Sequence, residues 1–257
     1  MNFAGQWVAF MTIVRKEVTR FMRIWPQTLL PPVINQALYF VIFGGFIGSQ
    51  IQEVQGVSYM AFIVPGLIMM AVISNSFSNV VSSFFGTKFM HNVEELMVSP
   101  TSNGVIVLGW SVGGMLRGFL IGLIVFVVSF FFTNPHIEHP ILLLLFVILT
   151  AAVFSFGGFL NALFAKKFDD VSVFPTFILT PLTYLGGVFY AVSSLPPFWQ
   201  TVSKFNPIVY IMDGFRYSFY GFSELNVWAS LGILSLLTVG LFWLNVSLLN
   251  KGKGLKN

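Results

Sequence analysis

The chain has 257 residues, of which 56% are hydrophobic and only 9% charged, with a net charge of +4 and no cysteine. Soluble domains carry about 25% charge, so this composition describes one compact helical domain embedded in a membrane. It excludes disulfides, thiol catalysis and cysteine-ligated metals, and the small positive excess is not a nucleic-acid footprint.

Residues 5–25 predict an amphipathic helix. Trp7, Phe10, Met11, Val14, Val18, Phe21, Met22 and Trp25 share one face, and Thr12, Arg15, Lys16, Thr19, Arg20 and Arg23 take the other. A helix with basic and aromatic faces lies in the interface rather than crossing it, as an anchor or as a mechanical element. The N-terminus has no short apolar core followed by a small-residue cleavage site, so no cleavable signal is expected. There is no internal repeat and no low-complexity tract.

A spanning helix needs roughly 20 apolar residues. Six segments qualify: 28–48, 59–85, 105–132, 141–165, 171–190 and 227–249. Ten Lys and Arg residues (Arg15, Lys16, Arg20, Arg23, Lys88, Lys166, Lys167, Lys251, Lys253 and Lys256) then fall on one side, against Lys204 and Arg216 on the other. The positive-inside rule puts both termini in the cytoplasm. The expected fold is all-α: six spans, an interfacial N-terminal helix and short re-entrant outer helices between spans five and six.

Glycines 109, 113, 114, 118 and 122 form a small stripe in span three, and Gly44 and Gly48 repeat it in span one. Small residues let helices approach closely in lipid, and packing within the chain is expected ahead of a seam between copies. The loop 86–104 is the longest cytoplasmic connection, and Lys88 to Val98 predicts a short amphipathic helix stopped near Pro100. It is either a contact surface for a cytoplasmic partner or a solvated linker.

Span five holds Pro175 and Pro181, which a membrane helix tolerates where neighbours re-satisfy the freed backbone groups. The chain then turns at Leu195-Pro196-Pro197, and Asn206-Pro207 opens another helix. Polar, uncharged residues cluster in three spans: Asn35, Gln36 and Tyr39; Ser74, Asn75, Ser78, Asn79 and Ser82 on one face; and Thr176, Thr180 and Thr183 with Tyr184 beside them. They read as a weakly polar path or as interhelical hydrogen bonds.

Arg117 is the one ionisable residue well inside a span. It is either structural, snorkelling or bonding helix carbonyls, or part of a gate. Arg216 is expected to pair with Asp213 three residues earlier. No intramembrane acid or His relay suits a proton-coupled transporter. His136, Glu138 and His139 lack metalloprotease spacing and read as loop surface. No lysine is followed by Ser or Thr, so the chain has no P-loop. Uphill transport would draw energy from another subunit.

The run PLTYLGGVFY, then LPP, then NPIVYIMDGFRYSFYG resembles the C-terminal signature of the type-2 ABC exporter permeases, and the similarity extends over essentially the whole chain. That resemblance implies a transport subunit rather than an enzyme, working as a homodimer in a bacterial inner membrane. ATP and Mg would be bound by a separate ATPase subunit, and none by this chain. It further implies a coupling role for Glu94, Glu95, Leu96, Ser99 and Pro100, with Arg15 and Lys16 on the interface helix, and an outer gate spanning 195–221 that includes Pro196, Pro197, Asn206, Pro207, Asp213 and Arg216. Spans one, two and five would flank the cavity. The resemblance leans to drug-exporter-type members and a hydrophobic or amphipathic cargo, with polysaccharide or glycolipid export as the alternative. From other classes, a lipid-modifying enzyme would need a buried acid or His, and a passive scaffold would show no response to nucleotide.

Overall fold

The computed structural model describes residues 2–51 and 53–254; Lys256 of the basic tail lies outside them. The fold is helical apart from one hairpin. Helix α1 (Phe3–Arg23) begins at Asn2, whose side chain accepts from the Gly5 N–H. It is followed by α2 (Trp25–Thr28), α3 (Leu30–Tyr39) and a π-helical stretch, Phe40–Ile47. Strands β1 (Glu53–Val54) and β2 (Val57–Ser58) pair antiparallel, with Gln55 and Gly56 at positive φ. That is what a two-residue turn matching the strand twist requires. Long helices α4 (Tyr59–Phe89), α6 (Asn103–Ser129) and α7 (Pro140–Phe164) form the core, with the short α5 (Asn92–Val98) between the first two. A broken segment follows: α8 (Phe168–Phe174), a π-turn at Pro175–Leu179 and α9 (Thr180–Tyr184). Then come a 3₁₀ turn (Val192–Ser194), α10 (Pro197–Ser203), α11 (Pro207–Tyr220) and α12 (Val227–Asn250).

The most buried element is α4, at 78% of its apolar window, and it packs on α6 and α7. The glycine stripe of α6 makes this possible within one chain. A Cβ at Gly114 would meet Ser76 O and one at Gly122 would meet Val72, both on α4, while Gly109 and Gly113 admit Ile13 and Glu17 of α1. The glycines of the first span serve local packing too, since Gly44 lies against Met60.

Two departures from expectation concern element ends. Five described helices are long and apolar enough to cross a membrane: Trp25–Ile47, Tyr59–Phe89, Asn103–Ser129, Pro140–Phe164 and Val227–Asn250. Segment 171–190 is not a sixth of this kind. Its helical path starts at Phe168 and ends at Tyr184, broken inside where Pro175 and Pro181 each remove a backbone donor, and Gly187 at φ +81° turns the chain beyond it. The helix of loop 86–104 is also shorter than expected. Lys88 still belongs to α4, and His91 at φ +61° breaks the helix before α5 begins. The Lys88 ammonium caps the far end of α7 instead, donating to Leu163 O (2.7 Å) and Ala165 O (2.8 Å).

These contacts define two ends of the molecule. At one, Lys88 meets Ala165, Gln6 meets Pro100, and Asn103 Nδ2 donates to Asn250 Oδ1 (2.7 Å). At the other, the hairpin tip Gln55 donates to Glu224, which also accepts from the Ser193 hydroxyl (2.6 Å). The chain from Ala165 to Ser193 therefore runs from the first end to the second.

Candidate functional site: a polar flank between two coupled ends

At the first end, α5 presents Glu94 and Glu95 in its first turn, both exposed. Leu96 is half-buried, Ser99 Oγ donates to Leu96 O (2.6 Å), and Pro100 is exposed. Glu94 also meets the His91 ring at 3.0 Å, an exposed contact of little energetic weight. The interface helix reaches this loop through a residue that sequence reading passed over. Gln6 Nε2 donates to Pro100 O (2.9 Å), and Gln6 Oε1 accepts from the Ser102 N–H (3.0 Å). Arg15 and Lys16 make no such contact. Both are exposed, and Lys16 lies 4.9 Å from the centre of the Trp110 ring.

The buried seam of α1 is neither of the two faces expected. Ile13, Glu17 and Phe21 form it, while Trp7, Met11, Met22 and Trp25 stay exposed. Glu17 has no solvent exposure. One of its oxygens accepts from Ser83 Oγ, and the other pairs with the Arg20 guanidinium at 3.1 Å. Arg20 reaches on to Asn79, at Oδ1 (2.8 Å) and at the backbone carbonyl (3.1 Å). One turn earlier on α4, Asn75 Oδ1 accepts from Arg117 Nη2 (3.4 Å), which also donates to Thr28 O (3.0 Å). Arg117 is therefore held by neighbouring carbonyl oxygens.

The α4 polar face divides. Ser74, Ser78 and Ser82 point outward, whereas Asn75 and Asn79 turn inward to the two arginines. Asn35 is exposed on α3, and Tyr39 at its end meets Tyr184 across the fold, hydroxyl to hydroxyl at 2.8 Å. Phe43 and Phe189 stack beside them with ring centres 4.2 Å apart. The three threonines do not share a face. The π-turn shifts the register, leaving Thr176 and Thr180 exposed and burying Thr183, whose hydroxyl donates to Leu179 O (2.7 Å).

At the second end, Pro196 precedes α10, and Pro197 and Pro207 each occupy a first helical position. Asn206 caps α11 by accepting from the Ile208 N–H (3.0 Å) and ties it to α9 by donating to Leu182 O (2.7 Å). Asp213 and Arg216 are buried but do not form the expected ion pair. Asp213 accepts from the N–H groups of Glu224 (2.7 Å) and Leu225 (3.0 Å). Arg216 donates to Gly187 O (2.8 Å) and stacks 3.8 Å from the centre of the Phe62 ring. Backbone N–H groups answer Asp213, and a backbone carbonyl and an aromatic face meet Arg216, whose Nε stays buried without a partner. No group of three metal-binding side chains occurs among the described residues; His139 stacks on Tyr217.

A bundle of apolar helices, an exposed polar flank and a short exposed helix between two core helices describe an all-α membrane domain. The chain belongs to the ABC-2 type transporter family, whose model matches residues 8–220. It is 51% identical over 251 residues to the inner membrane transport permease YadH of Escherichia coli strain K12, covering 98% of each chain. More distant relatives are the nodulation protein J of Neorhizobium galegae, 23% identical over 95% of this chain and 93% of the relative, and that of Rhizobium meliloti strain 1021, 24% identical over 95% and 93%.

Proposed function

We propose that the chain is the membrane-spanning subunit of an ATP-driven exporter in a bacterial inner membrane, with both termini in the cytoplasm. Two copies pair, and each docks a separate ATPase subunit through Glu94, Glu95, Leu96, Ser99 and Pro100. The cargo is a hydrophobic or amphipathic molecule of drug or lipid type. The broken segment 168–184 makes a sixth passage, and 195–221 forms the outer gate.

One observation carries this reading: uncharged polar side chains are exposed along segments at membrane depth. Ser74 and Ser78 on α4, Asn35 on α3, and Thr176 and Thr180 on the broken segment all face outward. Thr180 is answered by Pro175 O, but lipid cannot hydrogen-bond the others, so a water-lined path or a second copy suits this surface better. With no P-loop in the chain, the ATPase docked at α5 supplies the energy, and closure there reaches the flank through Gln6 and α1.

The test is co-purification of the tagged chain with an ABC ATPase in mild detergent, followed by ATPase activity in lipid. A complex of two permeases and two ATPases is expected, with Glu94→Lys/Glu95→Lys lost from it or uncoupled. Full transport with no ATPase present would sink the proposal.

A further inference from the structure

Asn75 and Asn79 are one turn, about 6 Å of rise, apart on α4, and each holds one guanidinium. Only one carboxylate answers these two cations. Glu17 pairs with Arg20, and Arg117 has no ion pair among the described residues. The cluster of Arg20, Arg117 and Glu17 thus keeps one uncompensated positive charge, with Glu17 fully buried and both arginines partly exposed. Unmet hydrogen-bonding capacity in the cluster is of the donor kind: Arg117 Nε and Asn79 Nδ2 are both buried without a partner, and Asn79 has no solvent exposure. Buried polar groups are ordinarily satisfied. Two unpartnered donors beside an excess cation describe a place built for an acceptor that carries negative charge.

Access comes along α1. An open groove of about 670 Å³ is lined by Arg15, Lys16, Arg20, Arg23 and Ile24 with Thr12 and Thr19, and the exposed apolar residues Met22 and Trp25 flank Arg23 and Ile24 in the chain. A basic groove that Arg20 itself lines, with the unpaired Arg117 held one turn of α4 along from Arg20's partner Asn79 and an apolar flank, matches a molecule with an anionic head and a hydrocarbon tail. Arginine suits the head because its planar fork meets the oxygens of phosphate or carboxylate two at a time.

We propose that Arg20 and Arg117, presented by Asn79 and Asn75 and fixed in place by Glu17, receive the anionic head group of a membrane-embedded amphipath. The inference deepens the transport reading by giving the head of the cargo a charge. Binding is measurable without any ATPase, so its failure is separable from failure of that reading.

The experiment places the full chain in phosphatidylcholine nanodiscs and titrates dodecyl phosphate, dodecyl maltoside and dodecyltrimethylammonium. Dodecyl phosphate is expected to bind at least about tenfold more tightly than the other two, and Arg20→Gln and Arg117→Gln are each expected to weaken it by about tenfold. Arg20→Lys should restore part of the loss, and Lys253→Gln, an exposed cation outside the groove, should change it less than about threefold. Unchanged dodecyl maltoside affinity verifies that a variant is folded; should Arg117→Gln fail this check, the half-exposed Arg20 decides alone. Equal affinity for the three amphiphiles, or phosphate binding indifferent to Arg20→Gln, overturns the proposal. Two sources of the head group are then told apart. Stimulation of the coupled ATPase by dodecyl phosphate assigns the site to cargo. Displacement by phosphatidylglycerol without stimulation assigns it to a resident lipid.

Discussion

A carboxylate with no solvent exposure must have its charge answered locally, and Glu17 is answered by Ser83 on one oxygen and Arg20 on the other. Glu17→Ala leaves a buried hydroxyl and a guanidinium short of their acceptor. The expected cost is about 1–3 kcal/mol, read as a lower unfolding temperature in detergent, whereas Glu17→Gln keeps the Ser83 bond and should lose less. Nothing in the pattern around Glu17 announced this burial. Its neighbours Arg15, Lys16 and Arg20 make it look like one more charge on a solvated face, and only the facing Gly113 on another helix creates the room. Arg117 was legible, because a lone charge inside an apolar run is visible without coordinates; its partner Asn75 was legible only as a polar residue of undecided use. Asp170 adds a pH-dependent contact at the first end of the molecule, where the first turn of α8 folds back on the Lys166–Lys167 turn that precedes the membrane passage. The backbone N–H groups of Lys166 and Lys167 bond its carboxylate and hold it below the usual carboxylate range. Its stabilisation of the α7–α8 turn is therefore present above the ordinary Asp pKa and lost as pH falls through the depressed one. Hydrogen exchange at Lys166 and Lys167 should rise across that acid window, and Asp170→Asn should abolish the dependence.

At the scale of elements, the broken segment shows how far proline patterns reach. Pro175 and Pro181 gave notice of a break, but the register shift that separates Thr183 from Thr176 and Thr180 comes from the π-turn, which periodicity cannot express. Thr180 Oγ1 donates to Pro175 O (2.8 Å), five residues back, and so covers one carbonyl in the break. The break also brings Tyr184 to Tyr39. Pro181→Ala restores a backbone donor and favours a regular helix that would turn Tyr184 away. The variant is expected to insert and assemble normally while nucleotide-dependent transport falls several-fold, since the flank rather than the core is altered. Unimpaired transport by this variant would argue that the break has no mechanical part. The connection between α1 and the coupling loop makes a second expectation at this scale. Gln6→Ala removes both bonds to Pro100 and Ser102, each worth about 0.5–1.5 kcal/mol net. ATP hydrolysis should continue in the complex with weaker stimulation by cargo.

For the whole molecule the question is how many times the chain crosses. Length and apolarity support five crossings, and segment 168–184 misses because 17 helical residues rise only about 25 Å against a hydrocarbon core of about 30 Å. Contact geometry argues for six. Gln55 and Ser193 both reach Glu224, so the hairpin and the turn after α9 share one end, while Ala165 shares the other with Lys88. Five crossings with α8 and α9 lying on the surface would separate Gln55 from Ser193 by the thickness of the bilayer and sever those bonds. The shortfall in length is made up by the Gly186–Gly187 turn and by the exposed aromatics Phe198, Trp199 and Phe205, which suit the interfacial layer. Because the chain has no cysteine, single cysteines report position without background. In intact cells, Gln55→Cys and Ser193→Cys are expected to react with a membrane-impermeant maleimide added outside. Glu94→Cys and Asp169→Cys should react only after the membrane is opened. Protection of Ser193→Cys together with labelling of Gln55→Cys would leave five crossings, move α12 to end outside, and remove α10 and α11 from any outer gate.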